Sequence, residues 1–137
     1  MVVIAAAGDC LAHNTELRVA DLLDRPFPGG PNLNAEWTSF WTLDEQRGGP
    51  ATRTEDDVKS VEDGLAVVAA GRAIATLSAW IADGLAHPGV IALPLRDGPH
   101  VRTRLVWHSH RDNPIVDALL DLASAWTRDG RRTRTRL

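Results

Sequence analysis

The sequence predicts an α/β fold in which a mostly parallel sheet is flanked by helices, and three observations carry that reading. First, Ala51 to Trp80 reads as strand, helix, strand. Ser60, with Asp63 three residues on, has the form of a capping box: a hydroxyl accepts from a free N–H of the first turn, and an acidic group sits at the positive helix end. A helix therefore starts at Val61; Val61, Leu65 and Val68 recur at helical spacing as a buried stripe, and Gly71 suits the left-handed conformation that ends a helix near Ala70. Second, Ala73-Ile74-Ala75-Thr76-Leu77 is short, small and apolar, as a strand covered on both faces is. A strand reached through a helix usually lies parallel to the one before it, which makes this a right-handed βαβ unit. Third, 137 residues with 44% hydrophobic and 24% charged side chains are the size and composition of one globular core.

Taken in order, Met1 to Ala7 is an apolar run. No basic residue precedes it and Asp9 follows at once, so it reads as a buried strand of a cytoplasmic protein and not as a signal peptide. Thr15 to Leu23 is a polar connection with a helical turn around Val19-Ala20-Asp21-Leu22-Leu23. Pro26-Phe27-Pro28-Gly29-Gly30-Pro31 makes a brief strand and a loop with preset turns. Asn34 is the N-cap of a helix from Ala35 to about Arg47, stopped by Gly48-Gly49-Pro50. Trp37, Phe40, Trp41 and Leu43 make it the most aromatic segment; an aromatic ligand wall is one reading, but the helical spacing favours core packing with at least one ring partly exposed.

From Ala79 a short helix runs to His87, and Val90 to Leu95 is a strand. Arg96-Asp97-Gly98-Pro99 is a turn, and Val101 to His110 alternates as a further strand. Asn113 caps a final helix with Pro114 in its first turn, on which Ile115, Leu119, Leu122 and Trp126 form a stripe at 3.6 spacing.

Charge and motifs narrow the function. The net charge is −3, but the last ten residues hold five arginines against Asp129, a net of +4, which leaves −7 on the preceding 127. A body this acidic argues against duplex binding, and the Arg-rich tail reads as a disordered solubilising end. No apolar run approaches the roughly 20 residues of a bilayer span. A single Cys10 excludes an intramolecular disulfide and a Cys-based zinc site. There is no phosphate-binding loop, dinucleotide fingerprint or nucleophile elbow, so no cofactor is implied. His108-Ser109-His110 is the one metal-like spacing, but no third ligand stands at a diagnostic distance. A hydrolase built on Ser60 or Ser78 lacks a nucleophile-type turn, so no catalytic residue is assigned. The start of the central helix, with Lys59 beside the cap, suits a carboxylate, although Glu55, Asp56, Asp57, Glu62 and Asp63 crowd the same end.

The pattern Ser60-Val61-Glu62-x-x-Leu65-x-x-Val68-Ala69-Ala70-Gly71-x-x-Ile74-Ala75 resembles the effector-binding domain of LysR-type transcriptional regulators. Gly8-Asp9-Cys10-Leu11-Ala12 with Val19 to Phe27, Pro88 to Leu95, Leu105-Val106-Trp107 and Asn113 to Ala123 agree in order and spacing, so the resemblance covers roughly residues 1–127. It implies a periplasmic-binding-protein-like (type 2) subdomain. Residues 1–100 would form the second subdomain, 101–127 the strand and helix returning toward a first subdomain, and 128–137 the basic tail. It also implies cleft-facing positions at Gly29, Gly30, Ser60, Thr76 and Ser78, with Lys59 nearby. Cys10 stands where the family has proline, Ala73 stands in the family's Gly-x-Gly, and Ser78 replaces its proline. The winged helix-turn-helix and the first half of the effector domain are not in this sequence, so the expectation is a fragment or a truncated gene.

The expected function is small-molecule effector binding, the effector an organic acid, in a homo-oligomeric regulator that meets DNA only through a helix-turn-helix domain not in this chain and does not meet a membrane. The alternative is a truncated dimerisation or interaction module, without effector binding, that associates through the exposed faces of residues 101–127.

Overall fold

The computed structural model describes residues 1–30, 34–85, 87–102, 104, 106 and 113–130. The chain divides into two compact units, Met1–Arg102 and Thr103–Leu137.

In the first unit, β1 (Val2–Ala6) is buried along its whole length, as five consecutive apolar residues with no polar alternation require. β2 (Ala75–Leu77) and β3 (Val90–Pro94) flank it in a three-stranded sheet ordered β2-β1-β3. Side chains of a strand alternate between faces, and β1 does so between two cores. Val3 and Ala5 pack with Leu17, Leu22, Phe27, Leu43 and Ile74, whereas Val2 and Ile4 pack with Val68.

Both pairings of β1 are antiparallel: Val3 stands opposite Thr76 on one side and Leu93 on the other. The mostly parallel sheet expected from the sequence is therefore corrected. β2 and β3 run in the same direction, as their helical connection requires, but β1 lies between them and opposes both. The crossover rule fixes the direction of successive strands, not which strands become neighbours. The strand expected ahead of the central helix is likewise reduced to one parallel bridge between Phe27 and Arg53. Two bonds make it, Phe27 N–H to Thr52 O at 2.8 Å and Thr54 N–H to Phe27 O at 2.9 Å. The acidic run Glu55-Asp56-Asp57 that follows offers no apolar face on which a ladder could continue.

The helix expected over residues 35–47 is two: α1 (Ala35–Thr42) and α2 (Asp44–Arg47), separated by Leu43 in the left-handed conformation at φ 63° and ψ 32°. That backbone costs a leucine about 1–2 kcal/mol. Leu43 is fully buried in the core, and burying such a side chain contributes roughly 1.5–3 kcal/mol, which offsets the strain. The new direction is fixed by Asp44, whose carboxylate accepts from the Thr42 hydroxyl at 2.6 Å and the Ala51 N–H at 3.1 Å.

α3 (Val61–Ala69) starts at the expected residue and carries both bonds of the capping box. Gly71 follows with φ 71°. The buried stripe is shifted, however. Val67 and Val68 are buried while Val61 is 54% exposed, because the first turn, with Glu62 and Asp63 in it, faces solvent and only the second half packs on the sheet. α4 (Ala79–Ala82) ends well before His87. Gly84 N–H closes back on Ile81 O, and a glycine there favours the turn over a further helical turn.

The second unit contains α5 (Pro114–Gly130), whose Asn113 cap accepts from Ile115 N–H at 3.0 Å. Ile115, Leu119, Leu122 and Trp126 are all exposed. The strand expected at 101–110 falls mostly outside the described residues; the His108-Ser109-His110 spacing and the tail from residue 131 lie wholly outside them.

Candidate functional site

Two cavities open beside α1, and both are walled by Trp37. Asn34 determines how that ring is presented: its side chain caps α1 by accepting from Glu36 N–H at 2.8 Å and Trp37 N–H at 3.3 Å. Trp37, Phe40 and Trp41 then form a cluster, Trp41 meeting Trp37 edge-on at 5.6 Å and Phe40 edge-on at 5.1 Å. The expectation that this cluster is core packing is corrected: Phe40 and Trp41 are half-buried, Trp37 is 58% exposed, and none belongs to either core cluster. The break at Leu43 explains it. Leu43 takes the core position, and the rings one and two turns earlier on α1 are left to the cavity side.

The smaller cavity, about 210 Å³, is floored by Phe27, which is 2% exposed and belongs to the core. Its walls are Trp37 and Trp41 on α1, the loop Pro28-Gly29-Gly30, Thr76 on β2, and Arg53, the one charged residue among the described lining. The loop is held tightly. Gly29 N–H donates to Thr54 Oγ1 at 3.0 Å, and a Cβ on Gly29 would collide with the carbonyl oxygens of Thr54 and Asp56. Arg53 adds Nε to Pro28 O at 3.3 Å and a terminal nitrogen to Gly30 O at 3.4 Å. Thr76, 5% exposed, donates its hydroxyl to Trp41 O and so ties β2 to α1. Among the described residues the slot has aromatic walls, the side chains of Thr38, Thr42 and Thr76, one guanidinium and no carboxylate. It suits a small planar ligand rich in acceptors.

The larger cavity, about 570 Å³, also has Trp37 in its lining and has the opposite electrostatics, with Glu36 and Glu45 beside Phe40 and Pro99. An anionic ligand is repelled there. The smaller cavity is therefore the better candidate despite its size.

Of the residues singled out from the sequence, Gly29, Gly30 and Thr76 come together in the smaller cavity, while Lys59, Ser60 and Ser78 are not in its lining. Ser60 Oγ accepts from Asp63 N–H at 3.1 Å, and the Asp63 carboxylate accepts from the N–H groups of both Ser60 and Lys59 at 3.1 Å. Lys59 Nζ pairs with Asp57 at 2.7 Å, and Ser78 caps α4. Trp37, Trp41 and Arg53 were not singled out as ligand residues. Asn34 ahead of three rings on one helix was the available indication for the first two; for Arg53 it was a cation between Thr52 and Thr54, whose alternation aims it to one side.

Elsewhere, the Asp9 carboxyl pairs with Arg25 and locks the first loop. Burial pushes Asp9 up, but the Leu11 N–H, the Cys10 thiol and Arg25 outweigh it and hold it below its ordinary value. Among the described residues no three His, Cys, Asp or Glu side chains are placed to hold a metal ion, and no helix is long and apolar enough to cross a membrane.

The described residues thus form a small antiparallel sheet flanked by helices, with an aromatic cavity beside it. Residues 1–128 match the profile of the LysR substrate binding domain, and the chain belongs to that family, whose members are transcription regulators. In fold it is similar to the BenM effector binding domain with its effector benzoate, with a TM-score of 0.66 and 19% identity, over 94% of this chain and 60% of that one. The fold is thus of the type 2 periplasmic-binding-protein kind, and this chain spans 60% of the length of the structure it matches. No curated protein matches the sequence.

Proposed function

We propose that this chain senses a small organic acid for a LysR-type regulator, and that the acid sits in the smaller cavity beside α1. One observation carries the reading. Loop 28–30, β2 and α1, remote in sequence, converge on one concave site with aromatic walls, a guanidinium and, among the described residues, no carboxylate. Binding sites combine an apolar, aromatic lining with a few placed polar groups in this way. The similarity to a domain whose structure holds benzoate supports the same class of ligand. In this reading Gly29, Gly30 and Thr76 belong to the ligand wall with Arg53, and Lys59, Ser60 and Ser78 act outside its lining, as an ion pair and two helix caps. The regulator would be a cytoplasmic homo-oligomer that contacts DNA through a separate helix-turn-helix domain. The exposed apolar stripe of α5 supports assembly with further protein.

Thermal unfolding of the 137-residue chain, alone and with millimolar aliphatic and aromatic carboxylates, tests it. A ligand at 100 times its dissociation constant adds about 2.7 kcal/mol, enough to raise the midpoint by several degrees. A midpoint that no acid moves would sink the sensing claim.

A further inference from the structure

The charge that repels an acid from the larger cavity invites a cation into it. Its described lining brings Glu36 and Glu45, from the first turns of α1 and α2, into one concave space of about 570 Å³ with the rings of Trp37 and Phe40, and no lysine or arginine stands among them. Among the described residues neither glutamate carboxylate accepts a hydrogen bond or enters an ion pair, whereas Asp9, Glu16, Asp56 and Asp57 each hold a basic partner. Arg47, two residues from Glu45, is committed elsewhere: its guanidinium donates to the Leu22 and Leu23 carbonyls and lies 5.5 Å from the centre of the Phe27 ring. A solvated glutamate is ordinary on a surface; two unpaired ones sharing a cavity with two aromatic rings are not. We propose that this cavity binds a compact alkylammonium cation.

A ring attracts a cation that lies over its face within about 6 Å of its centre, and an indole does so best. Trp37 is more than half exposed, so ring surface is open to a ligand. Phe40 stacks on it at 6.3 Å and 21°, which brings the two ring planes close to parallel. Alkyl groups on the nitrogen give these rings apolar surface to cover, and the charge they surround answers the two carboxylates. A bare metal ion is served less well, because among the described residues no three His, Cys, Asp or Glu side chains are placed to hold one. The partial positive charge at the start of α1 opposes a cation, but it amounts to about half a charge, already engaged by the Asn34 cap, against two full carboxylates. This inference does not rest on the proposed acid sensing, which uses the other cavity and the opposite charge.

The full 137-residue chain, titrated at matched ionic strength with choline chloride, with its neutral carbon isostere 3,3-dimethylbutan-1-ol and with sodium chloride, tests the site. The readout is the NMR signal of the Trp37 indole N–H, assigned by its loss in Trp37→Phe. Choline should shift that signal saturably and bind at least about fivefold more tightly than the isostere, which has the same shape and no charge; sodium should produce no saturable shift. Glu36→Gln combined with Glu45→Gln should weaken choline about fivefold and leave the isostere within about twofold. Both glutamates are exposed and glutamine keeps their size, so the double variant should fold, which an unfolding midpoint near that of the wild type checks. An isostere that binds as well as choline, a choline affinity unchanged in the double variant, or no saturable shift with choline each overturns the cation site. All three leave acid sensing standing, because neither glutamate lines the smaller cavity.

Discussion

The N-terminus of α3 and the cavity beside α1 each gather hydrogen-bond donors near a cation, and they differ in what already occupies those donors. At α3 the chain supplies its own anion: Asp63 accepts from Ser60 and Lys59 N–H, and Asp57 holds Lys59. Asp56 is drawn off to Arg72. An external carboxylate arriving there would compete with a side chain tethered three residues from the cap. In the cavity the cation is Arg53, whose described bonds go to the neutral carbonyls of Pro28 and Gly30, and no carboxylate stands in the described lining. Donors at a helix end make an anion site only where the protein has not filled it first.

The sharpest way to break this contrast is at Phe27, which floors the cavity, packs in the core and lies 5.5 Å from the Arg47 guanidinium. Phe27→Ala should cost about 3–5 kcal/mol, read as a lower midpoint in urea unfolding, and should abolish acid binding with it. The next largest effect belongs to Gly29→Ala, whose added methyl meets the Thr54 and Asp56 carbonyls. Overpacking of this kind costs about 1–3 kcal/mol. The loop should lose its place beside Arg53, so affinity for benzoate should fall along with the midpoint. A Gly29→Ala protein as stable and as ligand-competent as the wild type would mean that the loop is not a fixed wall.

Ser60→Ala separates the two regions. It removes the cap of α3 and should lower stability by about 1 kcal/mol, yet it should leave acid affinity unchanged, because Ser60 is a cap and is absent from the cavity lining. A selective loss of binding without loss of stability would move the site to α3 and invert the contrast.

How much of this was legible beforehand follows a physical division. The capping box of Ser60 and Asp63, the Asn34 and Asn113 caps, the Gly71 terminus and the buried run of β1 are local features, set by residues within a few positions, and each stands where the sequence puts it. The sheet was misread because strand adjacency depends on where β1 inserts, which no local pattern encodes. α1 was read as one helix through Arg47 because its spacing is helical throughout; the break at Leu43 is decided by a core position that only the packed molecule supplies. The site was half visible for the same reason. Gly29, Gly30 and Thr76 stood out as glycine-rich loop and family-like positions, but Arg53 and the two tryptophans become neighbours of them only through the bridge between Phe27 and Arg53 and the bond from Thr76 to Trp41.

The smallest expected effect is at Lys59, and its smallness is informative. As the only lysine in the sequence, beside a helix N-terminus, it is the residue an electrostatic reading of the sequence would choose to meet an acid. In the structure its side chain is 69% exposed and its partner Asp57 is 67% exposed. Solvent screening leaves such a pair little net attraction. Lys59→Ala should therefore shift the unfolding midpoint by no more than an ordinary surface substitution, within about 0.5 kcal/mol, and should leave the affinity for benzoate within about twofold of the wild type at moderate salt. Long-range attraction would still show itself in one way: if Lys59 steers an acid toward the chain, its removal slows association at low ionic strength and the difference vanishes as salt is raised. Stopped-flow association rates at two salt concentrations distinguish that steering role from direct contact, in which the loss would appear in the dissociation rate and survive added salt.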